Sequence, residues 1–187
     1  MPGRKQIRAD FDGQSIVVYQ AFNDEIADAA LENQRFVRPF ALNRMTWIKP
    51  SFLWMMERSA YGTLPDQERV LAVRITLDGW IEALRNASLS TRGASEAPVR
   101  VQWDPERDIK GNKLPNRCIQ VGLGPEIVGR YVNEWTQEIT DLTELVERLR
   151  TLREQRKYTE AQRLLPRERV WHPPADIAER LDMVTRV

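Results

Sequence analysis

VRVQWDPERDIKGNKLPNRCIQVG, residues 99–122, is the stretch on which the fold class turns. Val99 to Trp103 alternates apolar with polar residues and reads as a strand, and Arg117 to Gly122 reads as another. Residues 104–115 between them carry Pro105, Gly111, Asn112 and Pro115, the composition of a polar turn or loop. Two successive strands with no helix between them break the regular βαβ alternation of a doubly wound sheet. The expectation is an α+β domain with a mainly antiparallel sheet.

Toward the N-terminus, Arg69 to Thr76 (RVLAVRIT) alternates well enough for a strand. Ser15 to Ala21 (SIVVYQA) is β-branched and aromatic throughout, the mark of a buried strand. Residues 1–14 read as an extended lead-in. Asn23 can cap a helix with Asp24 and Glu25 in its first turn, ending near Asn33. Pro50 suits the first turn of a helix through SFLWMMERSAYG, which is apolar nearly all round from Phe52 to Met56. Trp80 to Ala87 reads as a short helix and residues 88–97 as a surface loop. Toward the C-terminus, Pro125 to Trp135 has a weak helical pattern. Asp141 with Glu144 matches a capping box, opening a helix with Leu142, Leu145, Val146, Leu149 and Leu152 on one stripe. Further helices are predicted around Glu160 to Leu165 and over residues 175–184. The sheet is thus flanked by helices and the C-terminal third is helical. No repeat, linker or composition break interrupts residues 1–187, which suits one domain.

The 187 residues carry a formal net charge of +1, so no global field draws the chain to nucleic acid or anionic lipid. Cys118 and His172 are the only residues of their types, which excludes an internal disulfide and a Cys/His zinc site. A carboxylate-only Mg²⁺ site stays open, though no clustered Asp pattern argues for one. The start, MPGRKQIRAD, lacks the apolar stretch of a secretory signal, and no run of 18 apolar residues spans a membrane. The expected compartment is the cytoplasm.

Three stretches hold candidate chemistry. Residues 35–58 place Arg35, Arg38, Arg44, Lys49 and Arg58 among Trp47 and Trp54, with Glu57 as the sole acid. Guanidinium forks and ammonium groups hold phosphates, and indoles stack on bases or cations, so a nucleotide, a dinucleotide or an RNA end suits this segment. The plainer reading makes the tryptophans core and the arginines solvated. Gln102-Trp103-Asp104-Pro105-Glu106 forms the second stretch. Strand alternation points Gln102 and Asp104 the same way, with Glu106 just beyond, an arrangement for a ribose hydroxyl or a cationic transition state. Asp-Pro is equally an ordinary turn starter. Residues 148–169 hold eight Lys or Arg against three Glu, a surface for RNA or a solvated amphipathic helix. Cys118, inside an apolar strand, reads as buried and inert.

The run Met45-Thr46-Trp47-Ile48-Lys49-Pro50-Ser51-Phe52-Leu53-Trp54-Met55-Met56, followed by Arg58, resembles the signature of domain-of-unknown-function family 4291. VYQAFNDEIADAA (18–30), VLAVRIT (70–76), VQWDPERD (101–108) and RCIQVGL (117–123) resemble that family's pattern too, so the likeness covers roughly residues 7–170. The element order is in turn similar to the ADP-ribosyltransferase-like fold. That resemblance implies a split β-sheet whose cleft binds NAD and breaks its nicotinamide–ribose bond. It implies an Arg or His on an early strand, a Ser or Tyr on a middle one and a Glu or Gln-x-Glu on a later one. Here Tyr19, Gln20 or Arg38 stands for the first, Thr46 or Ser51 for the second, and Gln102, Asp104 and Glu106 for the third. The chain departs from the pattern in having Gln-x-Asp and no His near its first strand. The resemblance implies an NAD-dependent transferase acting on a nucleotide, nucleic-acid or protein acceptor. On it Arg38, Arg44 and Lys49 clamp phosphates and Trp47 stacks. The alternative is a non-catalytic RNA- or nucleotide-binding module.

Overall fold

The computed structural model describes residues 4–90 and 97–183. The chain is α+β. In order it runs β1 (Ile7–Ala9), β2 (Ser15–Phe22), α1 (Asp24–Asn33), β3 (Thr46–Ile48), α2 (Phe52–Ser59), β4 (Arg69–Thr76), α3 (Leu77–Arg85), β5 (Ala87–Leu89), β6 (Val99–Arg107) and β7 (Lys113–Leu123). Then come α4 (Pro125–Arg130), a π-helical turn (Tyr131–Trp135), β8 (Thr136–Asp141), α5 (Thr143–Glu154), α6 (Tyr158–Leu164), β9 (Arg169–Trp171) and α7 (Ala175–Arg180).

Two sheets carry the architecture. One orders its strands β2-β4-β8, all antiparallel, and the other β3-β7-β6-β5, antiparallel except for the parallel β5–β6 pair. They meet at one bridge, where Tyr19 N donates to Lys49 O (2.8 Å) and Lys49 N to Tyr19 O (3.3 Å). A small third sheet pairs β1 with β9, which ties the C-terminal arm back to the N-terminal lead-in.

Side-chain alternation explains the layers. On β2, Ile16 and Val18 enter a core with α1, α3 and the apolar face of the β3-β7-β6-β5 sheet, while Val17 and Tyr19 enter a second core under α2 and α5. β2 is therefore covered on both faces, which is why its sequence is apolar without alternation. The β3-β7-β6-β5 sheet buries Ile48, Val99, Val101, Ile119 and Val121 on one face only. Its other face is polar, and α2 packs against both β2 and β6 at the junction of the two sheets.

Several expectations needed correction. Residues 104–107 and 113–116 are not loop: β6 and β7 continue into a long antiparallel ladder with a register shift between Pro105 and Arg107, leaving a turn around Asp108–Asn112. Pro105 survives in the strand because the irregularity falls there. The Asp141/Glu144 capping box does not form. Asp141 ends β8, and its Oδ1 accepts from Thr143 N (2.9 Å) and Thr143 Oγ1 (2.5 Å), a tight turn into α5. The helical run over Pro125 to Trp135 tightens into α4 and then widens to the π-helical turn. Asn23 does cap α1, accepting from Ile26 N (3.1 Å), and Ser51 caps α2. The predicted 88–97 loop lies largely outside the described residues (91–96), as do residues 1–3 of the lead-in and 184 of the last helix. Among the described residues no helix is long and apolar enough to cross a membrane.

Candidate functional site

The polar sheet face is assembled by register. Trp47 pairs opposite Gly122, Gln102 opposite Gln120 and Asp104 opposite Cys118, so these side chains project to one side of the sheet by strand alternation, and the charge of Asp104 reaches Lys49. Trp47 lies over Gly122: a Cβ there would sit 3.0 Å from the indole and 2.7 Å from Met45 Sδ, so glycine makes the seat. The Gln120 amide donates to Gln102 Oε1 and to Asp104 Oδ2, both at 2.8 Å, and clamps the two in place.

Ser51 and Glu106 join the two candidate stretches directly. Ser51 Oγ lies 2.8 Å from Glu106 Oε1 and also accepts from Trp54 N (3.3 Å), so the α2 cap fixes the carboxylate. Arg107 N donates to the same oxygen at 3.0 Å. Glu106 is only 4% exposed, and its Oε2 is buried with no partner. Burial pushes its carboxyl above the usual range, opposed by the Arg107 N–H, Ser51 and the charge of Arg8. The Lys49 ammonium, 6% exposed, is brought down to about 8 by burial and then by Arg58, with Asp104 pulling the other way. A buried acid with a partnerless oxygen and a buried lysine brought down to about 8 are perturbed groups of the kind that mark a candidate site.

The remaining predicted residues fall elsewhere. Tyr19 is walled into the second core, its ring edge-on to Phe52 at 5.3 Å, and burial pushes its hydroxyl well up. Gln20 is buried, donating to Thr46 Oγ1 (2.7 Å) and Trp47 O (3.2 Å) while accepting from Tyr131 Oη (2.7 Å). It clips the two sheets together and shares the Trp47 carbonyl with the Lys49 ammonium (3.5 Å). Arg38 is exposed and borders a separate cleft lined by Glu25 and residues 36–43; Arg44 is exposed on the approach to β3. Arg150 and Arg153, from the basic C-terminal stretch, donate to Tyr61 O (3.0 Å) and Ile109 O (2.8 Å), so part of that surplus is structural. Cys118 is buried, its thiol pushed up by burial and by Glu106 and Asp104, which makes it a poor nucleophile. Among the described residues no group of three or more His, Cys, Asp or Glu could hold a metal ion.

Two site residues escaped the reading of the sequence. Gln120 was legible once the β6–β7 register is set, since it stands on the face of Cys118 and Gly122. Glu168 was not. It comes from the arm before β9, accepts from Phe52 N at 2.7 Å, and its carboxyl rises to about 8 through burial and the neighbouring Glu106. Nothing local in LLPRERV signals that burial, which packing onto the start of α2 creates.

No curated protein matches the chain. The family described as a domain of unknown function (DUF4291) matches residues 6–171, most of the length, and the chain belongs to that family.

Proposed function

We propose that this chain is an NAD-dependent transferase of the ADP-ribosyl type, acting on a nucleotide, nucleic-acid or protein acceptor at the polar sheet face. One observation carries the reading: the 2.8 Å contact of Ser51 with Glu106 joins the end of the tryptophan–lysine–proline loop to the carboxylate stretch. The split between the β2-β4-β8 and β3-β7-β6-β5 sheets supports it, being the feature that the transferase-like resemblance implies.

In this reading the C–N bond between ribose and nicotinamide breaks, nicotinamide leaves with the bonding pair, and an oxygen or nitrogen of the acceptor forms the new bond to the ribose carbon as its proton passes to solvent. Glu106 stabilises the oxocarbenium character that develops at the ribose carbon, its partnerless Oε2 being the free acceptor. Gln120, its amide shared with Gln102 Oε1, holds Asp104 as the second negative charge. Lys49 and Arg58 take the pyrophosphate, and Trp47 stacks on nicotinamide. Arg38 borders a separate cleft, so it does not share the clamp, whereas Arg44 is exposed three residues before Trp47.

Titration calorimetry with NAD, followed by a nicotinamide-release assay, tests the reading. The wild-type protein binds and releases; Glu106→Gln binds NAD within a few-fold and releases nicotinamide at least about a hundredfold more slowly. A folded wild-type protein that neither binds nor releases removes the proposal. The exposed Arg35, Arg38 and Arg44 favour a second reading, a non-catalytic RNA- or nucleotide-binding module. It predicts RNA affinity that falls steeply with salt and survives Glu106→Gln.

A further inference from the structure

A cleft of about 690 Å³ opens beside Glu106, with Asp104 outside its lining. Its walls are the N-terminal Gln6–Arg8 segment, the start of α2, the β6–β7 turn and the arm from Gln162 to Glu168. Two carboxylates form its floor, and both rest on the first residues of α2: Glu106 on Ser51 and Glu168 on Phe52 N (2.7 Å). Glu106, which lines the cleft, keeps Oε2 buried and without a partner, an acceptor left unsatisfied at the edge of the cleft.

The rest of the lining decides what that ligand is. A small cation is one candidate for a pair of acids. Yet Arg8, Arg107, Lys110 and Arg167 line the same cleft against Glu106, Asp108 and Glu168, so the lining as a whole is not anionic. Arg107 is engaged with Glu57 (3.2 Å) and Gly111 O, and Arg8 reaches Glu168 O (3.1 Å). Lys110 and Arg167 are exposed at the mouth, and Gln6 and Asn116 add amide groups along the wall. Acids within, amides along the wall and cations at the mouth match a molecule with hydroxyls at one end and an anion at the other.

We propose that this cleft binds a phosphorylated sugar, whose hydroxyls donate to Glu106 and Glu168 and whose phosphate is held by Lys110 and Arg167. The inference rests on the transferase reading for its role, since it sets the acceptor at Glu106. Binding alone tests it. A free sugar phosphate and the phosphorylated end of a nucleic acid share this chemistry.

Titration calorimetry of the full chain with ribose 5-phosphate, ribose, inorganic phosphate, guanidinium and a 5′-phosphorylated oligoribonucleotide separates the cases. Ribose 5-phosphate is expected to bind more tightly than ribose or phosphate. Tighter binding still by the oligonucleotide assigns the source to nucleic acid. Glu168→Ala, which removes both carboxyl oxygens, weakens ribose 5-phosphate by roughly fivefold, the worth of one hydrogen bond to a neutral group. Should that variant not fold, the surface pair Lys110→Ala and Arg167→Ala tests the same cleft, and is expected to erase the preference for ribose 5-phosphate over ribose. Binding of guanidinium in place of sugar phosphate, equal binding of phosphate alone, or affinity untouched by these variants overturns the proposal. Nicotinamide release without sugar-phosphate binding sinks only this inference; sugar-phosphate binding without release sinks only the transferase.

Discussion

Burial brings the Lys49 ammonium from its ordinary 10.5 to about 8, and this ties a site residue to the stability of the fold. The unfolded chain keeps its proton up to 10.5, so below pH 8 folding works against desolvation of the charge, and that cost is recovered as pH rises from 8 to 10.5. Lys49→Met should raise stability at pH 7 by up to roughly 3 kcal/mol and by much less at pH 10, while weakening NAD binding. Urea unfolding at the two pH values checks this; an equal gain at both would refute the burial argument. Glu168 acts in the opposite sense. Its folded carboxyl holds a proton up to about 8, whereas the unfolded one loses it near 4.5, so its contribution is present below 4.5 and lost as pH rises toward 8. Trp47, Lys49, Asp104 and Glu106 were legible as candidates because their types are chemically odd in a row. Their burial was not, because desolvation depends on what packs over them.

Gly79 sits in the first turn of α3, its N–H bonded to Thr76 Oγ1 at 3.1 Å. Replacing a helical glycine with alanine ordinarily stabilises by up to about 1 kcal/mol. Here the added Cβ would lie 2.3 Å from Cγ of Trp135, a buried indole of the π-helical turn with little room to withdraw. Gly79→Ala should therefore destabilise, by about 1–3 kcal/mol or more, and thermal unfolding gives the sign directly. At this scale β2, α1 and β4 could be read from their own residues, since apolar period and the Asn23 cap are local signals. β3, β5 and β9 have three residues each and exist only by pairing with β7, β6 and β1, so no window of their own sequence announces them.

The two main sheets are held in one relation by Gln20, which touches Thr46 of β3 and Tyr131 of the π-helical turn while belonging to β2. Tyr131→Phe leaves Gln20 Oε1 buried without its 2.7 Å donor and should lower stability by about 1–3 kcal/mol with little loss of packing. Chemical denaturation tests it, and an unchanged midpoint would mean that the clip adds nothing to the hold between the sheets. The same architecture sets the candidate site, because α2 crosses the junction and offers its first residues to carboxylates from β6 and from the C-terminal arm. By itself the amino-acid order determined the α+β class, β2, β4 and the helices α1, α2 and α5, and the candidate stretches, for these follow from periodicity, caps and residue chemistry within short windows. Only the tertiary structure decided that Ser51 meets Glu106, that Gln20 and Tyr19 are interior, that Arg38 stands apart and that Glu168 joins the floor of the cleft. Those outcomes depend on strand register and on which surfaces exclude water, and both are properties of distant segments packed together.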